Sequence, residues 1–100
     1  MAGTTGFDYS TMTISDDVAA QTRQALANID DALTRAGANA ADVVRVTYLL
    51  PDRDDFEQCW PALKEYFGDA RPAATMIVAG LVDESMKIEI EVTALKPDAT

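Results

Sequence analysis

With no histidine and one cysteine, any chemistry in this chain must use carboxylates, hydroxyls, backbone groups or the cations of arginine and lysine. The missing imidazole removes the usual general base, the serine–histidine triad and the commonest transition-metal ligand. The lone Cys59 excludes an internal disulfide and a cysteine-based zinc finger. Two carboxylates, Glu89 and Glu91, lie in Lys87-Ile88-Glu89-Ile90-Glu91-Val92-Thr93-Ala94. There Ile88, Ile90, Val92 and Ala94 alternate with Lys87, Glu89, Glu91 and Thr93, which predicts a strand with one buried face. The other face must offer its carboxylates to solvent, a cation or a ligand. Read from the residues alone, these glutamates are solvated or salt-bridged. Asp52, Asp54 and Asp55 resemble half a calcium loop, but the glycine and distal glutamate of such a loop are missing, and helix capping explains them better.

The elements that position these groups follow from periodicity. Val18, Thr22, Ala25, Leu26, Ile29, Leu33 and Ala36 recur at helical spacing, giving a helix over about 17–36, capped by Ser15 or Asp17 and closed by Gly37. Val43 to Leu50 is β-branched and aromatic, a strand that Pro51 ends. Asp54-Asp55-Phe56-Glu57 reads as a capping box. It opens a second helix with the stripe Phe56, Cys59, Trp60, Leu63, Tyr66 and Phe67, closed by Gly68. Pro61 inside that stripe predicts a kink or an irregular first turn. Trp60 reads as a mostly buried core residue. A strand over about 73–79 and a connection over 80–85 lead to the final strand. Residues 97–100 read as a frayed tail, and the weak alternation of Met12 and Ile14 allows a short strand.

One hundred residues make one domain, 1–100, and 48% apolar residues mark a folded protein. The apolar runs are too short to span a bilayer, and the N-terminus has no basic flank or apolar stretch of a secretory signal. A soluble cytoplasmic protein is expected. The net charge of −9 repels phosphate backbones and anionic lipids, so neither nucleic acid nor a membrane is an expected partner.

The stretch from Pro72-Ala73-Ala74-Thr75 to Ala94 resembles, without a gap, the C-terminal signature of the RidA (YjgF) family. In that signature Pro-Ala-Arg-Ser or Thr is followed by a run ending Ile-Glu-Ile-Glu. Gln21 to Ile29 resembles the family's first helix, and Ala2-Gly3-Thr4 resembles the end of a Ser-Gly-Gln turn. The strand pair that precedes this turn in the family is not in the sequence. A shortened member is therefore expected, with residues 1–15 as an irregular remnant.

The resemblance implies an α+β, chorismate-mutase-like mixed sheet with two helices on one face. It also implies a homotrimer with clefts between subunits. Met76, Val78, Leu49 and Val43 agree with a covered second face, since two helices on one side cannot bury them all. Glu89 matches the family's cleft glutamate, which positions the water that attacks an imine carbon. Gly3 matches a turn glycine that lends backbone groups to the pocket. Trp60 falls where the best-known members have asparagine in the helix lining the cleft, which gives it a place in the cleft wall as the alternative to core packing. Thr75 and Met76 follow the altered motif, with Met76 at the cleft floor or in the core. Glu91 is expected to pair with Lys87 or a neighbouring subunit.

Ala74 stands where the hydrolases of the family carry the arginine that grips the substrate carboxylate. Losing such a charge-assisted contact costs on the order of 1.5–3 kcal/mol. The resulting expectation is a small-molecule-binding protein with an intersubunit cleft rather than an imino-acid deaminase. One alternative is an enamine or imine hydrolase whose substrate is anchored differently, with Arg71 or Arg45 standing in. The other is a structural or chaperone-like oligomer. No cofactor and no metal are implied. The expected partners are other copies of the chain and a small molecule.

Overall fold

The computed structural model describes residues 3–68, 70 and 72–95. Arg71 and the tail over 97–100 lie outside them. Strands β1 (Thr4–Thr5), β2 (Phe7–Asp8) and β3 (Thr13–Ile14) precede helix α1 (Val18–Arg35). Strand β4 (Val43–Leu50), helix α2 (Phe56–Phe67), and strands β5 (Ala73–Val78) and β6 (Glu89–Ala94) follow. The main sheet has the order β1-β6-β4-β5, with β4 and β5 parallel and the other pairs antiparallel. β2 and β3 form a separate hairpin. This is an α+β mixed sheet with both helices on one face. Among the described residues no helix is long and apolar enough to cross a membrane.

The alternation of the last strand sets the core. Ile88, Ile90 and Val92 are buried, as are Val46, Tyr48 and Leu50 of β4. Ala25, Ile29 and Leu33 of α1 and Cys59, Leu63 and Phe67 of α2 cover them. The α1 boundaries follow their caps. The Asp17 side chain accepts from the Ala20 N–H at 2.9 Å, and Gly37 takes φ 80°, a conformation that side-chain-bearing residues disfavour. The two helices are tied by the Tyr66 hydroxyl, which donates to Asp30 Oδ1 at 2.9 Å.

Four expectations need correction. Val43 is buried rather than left over on the far face, and Met76 and Val78, partners of Tyr48 and Leu50, also face the helix side. A register shift between Val43 and Arg45 adds one residue to the alternation and turns Val43 toward the helices. Asp54-Asp55-Phe56-Glu57 is not a capping box: Asp55 caps α2 without a side-chain bond, and Asp52 caps a preceding 3-10 turn, Arg53–Asp55. The irregularity thus lies before the helix, which continues through Pro61. Glu57 and Pro61 are both exposed, so the backbone bond that proline cannot make falls on the solvent side. Residues 4–14 carry three two-residue strands joined by a bend and a turn rather than an irregular segment: Thr4 and Thr5 pair with Ile90 and Glu89, and Phe7 and Asp8 with Ile14 and Thr13. Trp60 is 49% exposed. Cys59, Leu63 and Phe67, at spacing four, take the core side of α2, and Trp60 is left on its flank.

The chain just before α1 and the chain just before β6 are tied together by Gln21, a polar residue with no exposed surface. Its Nε2 donates to the carbonyls of Ser15 at 2.6 Å and Ser85 at 2.8 Å, and its Oε1 accepts from the Lys87 N–H at 2.8 Å. Gly6 passes directly over this residue. A Cβ at Gly6 would stand 2.5 Å from the Gln21 Cα, which no side chain rotation relieves. Gly6→Ala is therefore expected to lower stability by about 1–3 kcal/mol, read as a fall in Tm against wild type.

Candidate functional site

Residues side by side in a sheet point to the same face, so the register sorts the candidates. Val46, Tyr48 and Leu50 face the helices, and their β5 partners Ala74, Met76 and Val78 face the same way. Arg45, Thr47 and Leu49 face the other side with Ala73, Thr75 and Ile77. On β6, Glu89 pairs with Leu49 and Glu91 with Thr47, which puts both glutamates on the helix-free face. Ala74 and Thr75, neighbours in the motif, thus look to opposite sides. Within one chain Glu89 and Ala74 cannot share a cleft.

Glu89 is half-buried beside β1. Gly3 lies against it: a Cβ there would come within 2.6 Å of the Glu89 carboxyl carbon. The sequence reading expected Gly3 and Glu89 at one site, and the structure brings them together. Glu91 is exposed and is not paired with Lys87, whose ammonium donates instead to the Asp16 carbonyl. The Gln21 bond to the Lys87 backbone holds that part of the chain against α1 and turns the lysine that way.

Ala74 opens onto a groove of about 310 Å³ between α2 and the β5 edge. Tyr48, Trp60, Leu63 and Phe67 wall it, with Pro72 at one end. Lys64 is the cation among its described lining residues. The aromatic rings form a continuous series: Tyr48 to Phe56 at 6.0 Å and Phe56 to Trp60 at 5.9 Å. Met76 lies off this groove, beside Arg53 and Phe56 in a separate hollow. Sequence reasoning missed Lys64 and Tyr48. The spacing of four between Trp60 and Lys64 was the available signal, since it puts both on one flank of α2.

Arg45 lies on the face opposite Ala74, so it does not enter the groove beside Ala74 in its own chain. Cys59 is buried, and burial pushes its thiol up, away from the nucleophilic thiolate. Burial also pushes the Tyr48 phenol from its ordinary 10 up to about 12. A raised folded-state value means that this contribution to stability is complete below pH 10 and is lost as the pH rises toward 12. Alkaline unfolding is expected to set in across that window. It should shift to higher pH in Tyr48→Phe, relative to that variant's own neutral stability.

The chain matches the family model "Endoribonuclease L-PSP" over residues 1–96. It is 37% identical to a RutC family protein of Pyrococcus horikoshii, over 83% of this chain and 66% of that one. The chain thus spans about two thirds of that relative's length. It is 33% identical to the human 2-iminobutanoate/2-iminopropanoate deaminase, over 100% of this chain and 74% of that one. A crystal structure from Mycobacterium tuberculosis, of the YjgF/YER057c/UK114 family, superposes with a TM-score of 0.84 at 38% identity. It covers 94% of this chain and 75% of that one.

These matches overturn the expectation of a binding protein that is not an imino-acid deaminase, because deaminases are among the relatives that align along the whole chain. The expectation gave one side chain too much weight. Ala74 and the Glu89 carboxylate lie on opposite sheet faces, so the residue at 74 leaves that carboxylate untouched within one chain. From its sequence match, its sheet order and its helix placement, the chain belongs to the RidA/YjgF (endoribonuclease L-PSP) family.

Proposed function

We propose that this chain is a Rid-type enamine and imine hydrolase that releases ammonium from 2-imino acids, with a substrate anchored by a group other than an arginine at residue 74. The alignment of the human deaminase along the whole chain is the observation that carries this reading. Glu89 is its general base. The carboxylate takes a proton from water as the oxygen bonds to the imine carbon. It returns that proton to the nitrogen. The hydroxyl proton passes to the departing ammonia as the carbonyl forms and the carbon–nitrogen bond breaks, so a protonated imine and water balance the products. The products are a 2-oxo acid and ammonium. Gly3 keeps the backbone close beside that carboxylate.

The working unit of this reading is a homotrimer with its clefts between subunits. The opposite orientation of Ala74 and Glu89 supports it, since a second copy can bring its groove to the first copy's Glu89. Exposed Ile77 and half-buried Leu49 on the helix-free face also support it. Sedimentation equilibrium is expected to give about three times the 10.8 kDa chain mass at micromolar concentration. A stable monomer would count against the intersubunit cleft.

The hydrolase reading is tested with imines generated in place by an amino-acid oxidase, with semicarbazide as a competing trap. Added protein should lower the initial rate of semicarbazone formation, since the 2-oxo acid it releases condenses more slowly than the imine. An unchanged initial rate with every imine tried would remove the hydrolase reading.

A further inference from the structure

We propose that Lys64 holds the substrate carboxylate in place of the missing arginine, and that the groove beside it selects 2-imino acids with large apolar side chains. This rests on the hydrolase reading above and deepens it. Alanine at 74 leaves a methyl group where a guanidinium would fill space, and the vacated volume is continuous with an apolar groove. Its walls are Tyr48, Trp60, Leu63 and Phe67. A groove of about 310 Å³ is at the small end of ligand sites, matched to a metabolite with a branched or aromatic side chain. Such walls gain from each buried methylene and gain little from a methyl group alone.

The charge argument singles out the same residue. In a chain of net charge −9, an anion settles only where a cation is local. Lys64 lines the groove and lies one helical turn beyond Trp60, on the same flank of α2. Other described cations are worse placed. Arg45 points to the opposite face and is paired with Thr93, four residues and roughly 13 Å along β6 from Glu89. Arg53 shares its hollow with Asp54 and Glu57, which offset its charge. An ammonium binds a carboxylate as a point charge rather than through a two-pronged grip. Affinity must then come in larger part from the substrate's apolar body.

Trp60 is the one tryptophan in the chain, so its fluorescence reports groove occupancy directly. The probes are pyruvate, 4-methyl-2-oxopentanoate and the uncharged 4-methyl-2-pentanone. The branched oxo acid is expected to bind about tenfold or more tighter than pyruvate. Lys64→Met should weaken it about tenfold or more and leave the ketone unchanged, and Lys64→Arg should retain it. Equal affinities for the two acids, or no effect of Lys64→Met, would overturn the proposal. Lys64 is exposed, so its variants should fold as wild type does, which circular dichroism checks.

Turnover of the imines of leucine and alanine separates the two layers. Hydrolysis that favours the leucine imine and rises in KM with Lys64→Met supports both. The stated binding pattern without any hydrolysis supports the anchor and removes the hydrolase reading. Hydrolysis with KM unaffected by Lys64→Met removes the anchor alone.

Discussion

Glu89→Gln is expected to lower imine hydrolysis by about 10²- to 10⁴-fold, the usual contribution of a positioned general base. Glutamine keeps the size of the side chain and can still orient water, but it cannot take the proton. Glu89 is half-buried on the helix-free face and is not part of the apolar core. The variant should therefore keep the Tm and oligomeric state of wild type. A loss confined to kcat, with 2-oxo-acid binding unchanged, is the pattern of an interaction made in the transition state. A matching rise in KM would instead make Glu89 a binding group.

The largest stability effect is expected at Gln21. Replacing it by leucine keeps the volume and removes three hydrogen bonds at a position with no exposed surface. The carbonyls of Ser15 and Ser85 and the Lys87 N–H lose this buried partner. Each such loss costs about 1–3 kcal/mol, so a total near 3 kcal/mol or more is expected. In a chain of this length that is a fall in Tm of roughly 15 °C. Gln21→Glu is the informative companion. A carboxylate can still accept from the Lys87 N–H but cannot donate to the two carbonyls, so it should also destabilise. A change within ~0.5 kcal/mol for Gln21→Leu would mean that the amide does not hold these segments together.

Where local periodicity decided the outcome, the sequence was readable. The alternation from Ile88 to Val92 and the spacing from Val18 to Leu33 led directly to β6 and α1, and the β-branched run 43–50 led to β4. What resisted reading depended on neighbours far along the chain. Gln21 shows nothing of its burial until Ser85 and Lys87 are brought beside it. Trp60 fits an apolar stripe, but it stands on the flank of α2 over the edge strand β5, beyond which no described strand follows, and the indole is left half in solvent. Val43 was assigned to the wrong face because a one-residue bulge inverts the alternation and leaves no mark in composition. At the candidate site, the nearness of Gly3 to Glu89 was legible through the family pattern. The opposite orientation of Ala74 required the strand register, and the place of Lys64 required the packing of α2 beside β5 that forms the groove.

The hydrolase claim is tested most directly by the initial rate of ammonium release from a freshly generated 2-imino acid, with wild-type protein, Glu89→Gln and buffer run side by side. A saturable acceleration by wild type, falling to near the buffer rate in Glu89→Gln, is the expected result. Buffer-level release by wild type that still binds 2-oxo acids, or equal acceleration by both proteins, would contradict it.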